Sequence, residues 1–198
     1  MNLYDIAKVI LAIEGKPISK VKFAKTVYFA HKELIRNGLA HNGDFAYIRM
    51  PLGPVPDGFM ELADNHSDII VSEERSGLSY NSKNYSLKKT ILSRVSGNTR
   101  VKDNSLKKVV SDTLDILRSM STSQLVERSH EEPSWKKNLN GNRFYISDKD
   151  MALTLFDGRI VVTASPTGKS DDEYLQASLI RGMIDDIVSE STNLEYPT

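Results

Sequence analysis

The chain has 198 residues, which fits one domain at the usual ~100–200 residues per domain. Its 26 basic and 26 acidic side chains cancel to a formal net charge of zero, which excludes a globally basic protein that coats nucleic acid or binds membranes through its charge. The 39% of hydrophobic residues is too high for a disordered chain, and the absence of cysteine excludes disulfides, thiolate zinc sites and cysteine nucleophiles.

Two helices are predicted in the first forty residues. Five apolar residues recur at helical spacing and form one face of a helix that ends at Gly15: Leu3, Ile6, Ala7, Ile10 and Leu11. A second helix follows Pro17, with Ser19 as its N-cap, and ends at Asn37-Gly38. Its apolar surface is so wide that we expect this helix to be buried on two sides, at the centre of the domain.

The next segment predicts short β-structure. A strand is expected at Asp44–Met50, followed by a rigid turn over Pro51–Pro56, because three prolines remove backbone donors and fix φ. A short helix at about 56–65 buries Phe59, Met60 and Leu62. Three short strands then form a small antiparallel ribbon: Ile69–Glu73, Leu78–Tyr80 and Tyr85–Leu87.

The helical period returns after residue 104, with one apolar stripe formed by Leu106, Val109, Val110, Thr113, Leu114 and Leu117. Ser121–Gln124 has the spacing of a capping box, which begins a short helix that Pro133 stops. A second box-like run, Ser147–Asp150, precedes another short helix that Gly158 closes.

The last elements predicted are a strand at Arg159–Ala164 and a helix from about Asp171 to Ser189. No internal repeat or low-complexity linker separates these elements, so residues 1–198 are expected to form a single domain. The predicted class is α+β, a predominantly helical single domain with a small antiparallel β-sheet.

Gly168-Lys169-Ser170 resembles part of a phosphate-binding loop, because it follows a predicted strand and opens a helix. The glycine that such a loop needs five positions earlier is replaced by Thr163, and the helix opens on the acidic run 171–173. A turn followed by an N-capped helix is the favoured interpretation. A nucleotide-binding enzyme therefore ranks last among the hypotheses.

Four histidines occur in the chain, but no two have the spacing of a zinc-binding pair: His31, His41, His66 and His130. His31 lies on an apolar stripe, where a hydrogen-bonded core histidine is expected. His130 lies beside Glu131 and Glu132, which indicates a cap or a raised pKa, and its adjacency to Ser129 does not make a catalytic triad. We predict no enzyme activity, no metal site and no cofactor.

The zero net charge hides an uneven distribution. Residues 83–108 carry a net charge of +7, with Lys88, Lys89 and Arg94 among their basic residues, whereas residues 171–198 carry −6. Either the two segments contact each other, or the basic strip binds an acidic partner, or it binds nucleic acid. A merely solvated surface is the fourth alternative.

The apolar runs Val9–Ile13 and Val27–Ala30 are far shorter than the ~18–20 residues that cross a bilayer. The first five residues also lack the basic start and apolar run of a signal peptide. A cytoplasmic protein with no membrane partner is therefore expected.

Three sequence pieces occur in a distinctive order: the helix Phe23–His31, the turn Gly53-Pro54-Val55, and a late segment with Ser129-His130, Pro133 and Trp135. Over roughly residues 3–156 the chain resembles the Panacea-domain family, the SocA/GepA-like antitoxins of bacteria and their phages. That family shows a Lys-Leu-Leu-Tyr-Phe-Ala-His-like helix, a Gly-Pro-Val turn and a Thr-His…Pro-Trp segment.

Three departures mark the chain as a divergent member of that family. Thr26-Val27 stands where Leu-Leu is usual, Ser129 replaces Thr, and Ser134 separates Pro133 from Trp135. Residues 157–198 are then an extension to the resembling part, formed by the C-terminal strand and helix.

The resemblance implies a non-enzymatic antitoxin that neutralises a cognate protein toxin by direct binding. One alternative is an adaptor that delivers the toxin to the ClpXP protease, as in the SocA case, and another is a nucleic-acid-binding regulator that uses residues 83–108. Partner contacts are expected from the turn at Gly53–Phe59 together with the basic strip or the acidic final helix. The residues singled out could equally hold the fold together: Tyr28, His31, Gly53, Pro54, Val55, Phe59, His130 and Trp135.

Overall fold

The computed structural model of the protein describes residues 1–76, 80–88 and 101–153. Its helices are α1 (Leu3–Glu14), α2 (Lys20–Arg36), α3 (Leu62–Asn65), α4 (Val101–Arg118), α5 (Thr122–His130), α6 (Pro133–Lys137) and α7 (Asp148–Met151). Its strands are β1 (Ile18–Ser19), β2 (Tyr47–Met50), β3 (Gly53–Pro56), β4 (Ile69–Ser76), β5 (Tyr80–Leu87) and β6 (Arg143–Phe144). The α+β class, dominated by helix, is confirmed.

Several predictions made from the sequence fall outside the described residues and stay predictions. They are the part of the helix after residue 153 with its end at Gly158, the strand Arg159–Ala164, the Gly168–Ser170 motif, the helix Asp171–Ser189, and the side chains of Lys89 and Arg94.

Helix α2 is the centre of the described structure, as predicted. Twelve consecutive residues, Phe23–Leu34, are buried, because α2 contacts α1, α4 and α5 together with strands of both sheets. Helix α1 begins with a capping box between Asn2 and Asp5 and ends at Gly15, whose φ of 66° is left-handed. Ser19 precedes α2 as expected, but its side chain makes no capping hydrogen bond.

Two small antiparallel sheets flank α2, with strand orders β1-β5-β4 and β3-β2-β6. The first contains a long hairpin, in which β5 is continuous where two separate strands were predicted, with register Ile69↔Leu87 to Ser76↔Tyr80. The second contains β2, which begins at Tyr47, three residues later than predicted.

The prediction that the whole of Pro51–Pro56 lacks regular structure is wrong, because residues 53–56 form strand β3 and pair with β2. Pro54 lies opposite Arg49, whose backbone N–H and carbonyl bond instead to Asn142 and Gly141 on the other side of β2. Pairing with β2 therefore does not require a backbone N–H from Pro54. In addition, β3 is an edge strand, where proline is tolerated.

Two further differences concern short helices. Pro133 does stop α5, but it also begins α6, since proline is well suited to the first helical position. The helix predicted at 56–65 is only Leu62–Asn65, and Met60 is 50% exposed instead of buried, whereas Phe59 and Leu62 are buried as expected. Both capping boxes predicted at Ser121 and Ser147 are present.

The apolar core has two parts that meet at α2. One joins α1, α2 and α4 to the β4–β5 hairpin, and the other joins the second half of α2 to β2, β6 and α5. Within the described ranges, no helix combines the length and the apolar composition that a membrane span requires.

Candidate functional site

His31 is a structural residue of α2 in this structure, which confirms the expected core histidine. Its side chain is fully buried and its ring stacks on Phe45 with centroids 4.2 Å apart. Nε2 lies 3.2 Å from the His41 carbonyl, so its N–H donates there and Nδ1 accepts from the Tyr47 hydroxyl at 2.8 Å. Burial lowers the pKa of His31 to about 4, which keeps the ring neutral.

A buried ion pair connects α2 to the segment between α5 and α6. Lys32 Nζ lies 2.7 and 2.8 Å from the two carboxylate oxygens of Glu132, and both side chains are fully buried. The Tyr28 hydroxyl donates to Glu132 at 3.2 Å, and Arg128 adds a hydrogen bond at 3.0 Å. Burial raises the pKa of Glu132, and the charges of Lys32 and Arg128 oppose that shift.

Asp150 anchors the next part of the chain to α6. Its carboxylate accepts from the Ser134 backbone N–H at 2.9 Å and from the Ser147 backbone N–H at 2.6 Å. The hydroxyls of both serines also donate to it. Ser134, which separates Pro133 from Trp135 in this chain, is thus a structural link between α6 and α7.

Gly53 is required because Lys25 and Ser129 fill the space where a side chain would lie. Its φ is +95°, and a Cβ at this position would overlap the Ser129 hydroxyl and lie 2.9 Å from Lys25 Nζ. Lys25 is 1% exposed and donates to the Pro54 carbonyl at 2.8 Å. Burial lowers the pKa of Lys25 to about 7, with no carboxylate to oppose it among the described residues.

Next to this contact, the side chains of His130 and Arg49 both pack against the ring of Trp135. The His130 ring stacks on it with centroids 4.0 Å apart at 15°, and the Arg49 guanidinium lies 4.1 Å from the Trp135 ring centroid. Trp135 Nε1 donates to the Met50 carbonyl at 3.1 Å. Trp135 therefore packs beside the Gly-Pro-Val segment, since Met50 pairs with Gly53.

The predicted rise in the pKa of His130 is wrong. Burial lowers this pKa to about 4, and the positive charges of Lys25 and Arg49 lower it further, against a single hydrogen bond to the Pro51 carbonyl. The acidic neighbours are directed elsewhere, since Glu132 binds Lys32 and Glu131 lies 3.4 Å from Arg128. The Nε2 atom of His130 is buried and has no hydrogen-bond partner among the described residues.

The surface above this stack is apolar and basic. We call it the Trp135 face and define it by Met50, Trp135, Lys136, Lys137 and Leu139. Met50 and Leu139 are 43% and 46% exposed, and both lysines are exposed. The five residues lie close together, because Trp135 bonds to Met50 and the other three follow Trp135 within four residues of the chain.

The remaining predicted site residues lie apart from this face. Phe59 is 1% exposed and packs its ring against Phe23 and Tyr85 in the core. Val55 is half-buried, and Lys88 is exposed at the end of β5. Sequence reasoning thus named the turn, His130 and Trp135, which the structure brings together, but it did not name Lys25 and Arg49, which contact them.

The missed residues left only weak signals. Lys25 and Lys32 are charged residues within the wide apolar surface of α2. Buried lysines need hydrogen-bond or ion-pair partners, but the sequence does not show which residues these are. Arg49 lies two residues after buried Tyr47 on a short strand, hence on the same face, and carries no further signal. No group of three His, Asp or Glu side chains in the described part of the chain is placed to hold a metal ion.

A protein-family comparison matches this region. The family model described as antitoxin SocA-like, Panacea domain, matches residues 23–136, which is more than half of the chain. The matched range begins at the start of the buried part of α2 and ends one residue after Trp135. No curated protein and no solved structure matches the chain.

Proposed function

The chain belongs to the family of SocA-like antitoxins with a Panacea domain, and from this we propose that it neutralises a cognate protein toxin by binding it directly. The observation that carries the proposal is the family match over residues 23–136, which assigns an antitoxin-like role in general. Direct binding is the step that we add.

The contacts of Trp135 support a binding role for its face. Trp and Arg are the residue types that most often dominate the energy of protein interfaces. Trp135 is held in place by the Met50 carbonyl, the His130 ring and the Arg49 guanidinium. A side chain that is already fixed loses little conformational entropy when a partner covers it, so such a face can bind with useful affinity over a modest area.

The framework below the face supports the same role. The Lys25 contact with β3 and the Lys32–Glu132 ion pair join α2 to the segments that carry Met50 and Trp135. These contacts set the relative position of β2 and α6 before any partner arrives. We propose that toxin neutralisation uses this preformed surface to cover the part of the toxin that acts on its target.

Co-expression tests the proposal. The protein encoded by the adjacent open reading frame is expressed alone and together with this chain, and growth and co-purification are measured. Growth arrest by the neighbour alone, relief by this chain and a co-purifying complex are the expected results. If both proteins accumulate, the neighbour arrests growth, and neither relief nor a complex is found, direct neutralisation is wrong.

The same experiment in a host that lacks ClpX separates direct binding from proteolytic delivery. Direct neutralisation predicts that growth is still relieved and that the toxin level stays constant. Relief that disappears in this host, with the toxin degraded only when ClpX is present, would contradict the proposal and favour the adaptor.

A further inference from the structure

We infer that the Trp135 face binds an acidic segment of the partner protein, one in which Asp or Glu residues flank a large apolar side chain. The inference rests on the proposed function and specifies the place and the chemistry of the contact. Three observations support it: exposed apolar residues lie on the face, exposed lysines lie beside them, and two neighbouring carboxylates already form ion pairs with arginine.

Two of the strongly exposed apolar residues lie on this face. Five large hydrophobic side chains are strongly exposed in the described part of the chain: Met50, Met60, Ile70, Leu139 and Tyr145. Met50 and Leu139 belong to the face, whereas Tyr145 lies beyond the opposite end of β2, where Phe144 pairs with Tyr47. Apolar side chains grouped in this way favour association with another apolar surface.

The segment that carries the face is positively charged. Residues 133–147 include Lys136, Lys137 and Arg143 and contain no Asp or Glu. Lys136 and Lys137 are exposed, and neither forms an ion pair with a described residue. Among the described residues, the surface therefore offers two positive charges without an ion-pair partner, next to exposed apolar groups.

Two carboxylates in segments next to the face are already paired with arginine. Glu131 lies 3.4 Å from Arg128, and Asp57 lies 2.8 Å from Arg143. They are thus engaged elsewhere, and the lysines of the face remain available to an incoming acidic group. Complementary charge of this kind accelerates encounter and disfavours basic partners.

A protein segment fits the face better than nucleic acid does. Binding to DNA is dominated by many phosphate contacts, whereas this face has two lysines beside exposed Met50 and Leu139. An apolar side chain of a peptide can cover these two residues while a neighbouring carboxylate reaches a lysine.

The test uses the full chain and the purified product of the adjacent open reading frame, with binding kinetics measured by surface plasmon resonance. The double variant Lys136→Glu/Lys137→Glu is expected to lower the association rate constant by ~10-fold at low salt. Leu139→Ala is expected to weaken affinity by ~3–10-fold, mainly through faster dissociation.

Matched controls change the same residue types elsewhere. Lys16→Glu reverses an exposed charge between α1 and β1, and Met60→Ala truncates a side chain that is 50% exposed. Both are expected to bind like the wild type. Urea unfolding of every variant verifies that the fold is kept, which is expected because all the altered side chains are exposed.

The outcomes separate this inference from the proposed function. A wild-type chain that binds, with face variants that bind equally well, overturns the inference and leaves direct neutralisation standing. A wild-type chain that does not bind its toxic neighbour overturns both.

Zero-length cross-linking of the complex identifies the occupant directly. Carbodiimide joins lysine amines to carboxylates, so links from Lys136 or Lys137 to Asp or Glu of the partner are expected in the mass spectra. Links confined to this chain's own acidic residues 171–198, or tight binding of a short DNA duplex that the double variant abolishes, would overturn the inference.

Discussion

At the scale of single residues, Gly53 and Lys25 show that the family-typical turn is held in place from inside. Gly53 has φ +95° and lies against the Lys25 amine and the Ser129 hydroxyl, so even a methyl group has no room. The turn is held in this conformation by packing on α2 and α5, and any partner contact at Met50 depends on that packing.

We expect Gly53→Ala to destabilise the fold strongly. The substitution adds a Cβ that overlaps Ser129 at a left-handed φ, which together should cost about 2–4 kcal/mol of unfolding free energy. Urea denaturation followed by circular dichroism measures the loss. Gly43→Ala is the matched control, because nothing lies within 4 Å of its added Cβ. Equal stability of the two variants would contradict the assigned role of Gly53.

Because Lys25 is buried, we expect the free energy of unfolding to rise with pH. Burial lowers its pKa from 10.5 to about 7 in the folded chain. Between these values the unfolded chain binds more protons, so the unfolding free energy rises with pH, by at most ~1.4 kcal/mol per unit from this group. Lys25→Met removes that contribution, and its free energy of unfolding should rise less steeply than that of the wild type between pH 7 and about 10.

Urea denaturation at several pH values measures the two curves. Lys16→Met removes one positive charge at an exposed position and controls for the change in net charge. Parallel curves for Lys25→Met and the wild type would show that the Lys25 amine is not titrating in this range.

At the scale of elements, the Lys32–Glu132 pair is the strongest polar link between α2 and the α5–α6 segment. Removing one partner of a buried pair leaves the other charge without compensation, so Glu132→Gln should cost about 3–5 kcal/mol of unfolding free energy. The double variant Lys32→Met/Glu132→Leu should recover most of this loss, because it buries no unpaired charge.

Thermal and urea unfolding of the single and double variants measure this coupling. Asp112→Asn breaks an exposed i,i+4 pair with Lys108 on α4 and should change stability by less than about 0.5 kcal/mol. A Glu132→Gln chain as stable as Asp112→Asn would show that the buried pair does not join these elements.

The same elements show how much of the fold follows from local sequence. Helices α1 and α2 and the starts of α5 and α7 were predicted because caps and apolar periodicity are local signals. Strand β3 was missed because only its pairing with β2 makes Pro54 acceptable there. Pro133 was interpreted solely as a stop, although proline also favours the first turn of a helix.

The candidate site could also be predicted only in part, because some of its contacts join residues that are distant in the chain. Resemblance to a family pointed to Gly53, His130 and Trp135, which the structure brings together. Arg49 and Lys25 complete the arrangement through contacts with residues distant in the chain, such as Asn140 and Pro54. No periodicity or spacing encodes such contacts.

At the scale of the whole molecule, the net charge of zero removes any general attraction toward a charged partner. Electrostatic steering can then come only from local surfaces, and its range is limited to about 10 Å at 0.1 M salt. Within the described residues, the Trp135 face is a place where exposed lysines adjoin exposed apolar side chains. Comparing the wild type with the double variant of that face therefore separates its contribution to the salt dependence of binding from that of other charged segments, such as residues 83–108.

We expect the association rate constant with the proposed toxin to fall by about 10-fold as ionic strength rises from roughly 0.05 to 0.5 M, because screening removes the attraction between Lys136, Lys137 and an acidic segment. In Lys136→Glu/Lys137→Glu the rate should already be low and should fall no further with salt. Lys16→Glu should retain the wild-type salt dependence, since its charge lies elsewhere. Stopped-flow fluorescence of Trp135, the sole tryptophan of this chain, follows the reaction when the partner's own emission is subtracted. A wild-type rate that is independent of salt would show that charge on this face does not guide the encounter.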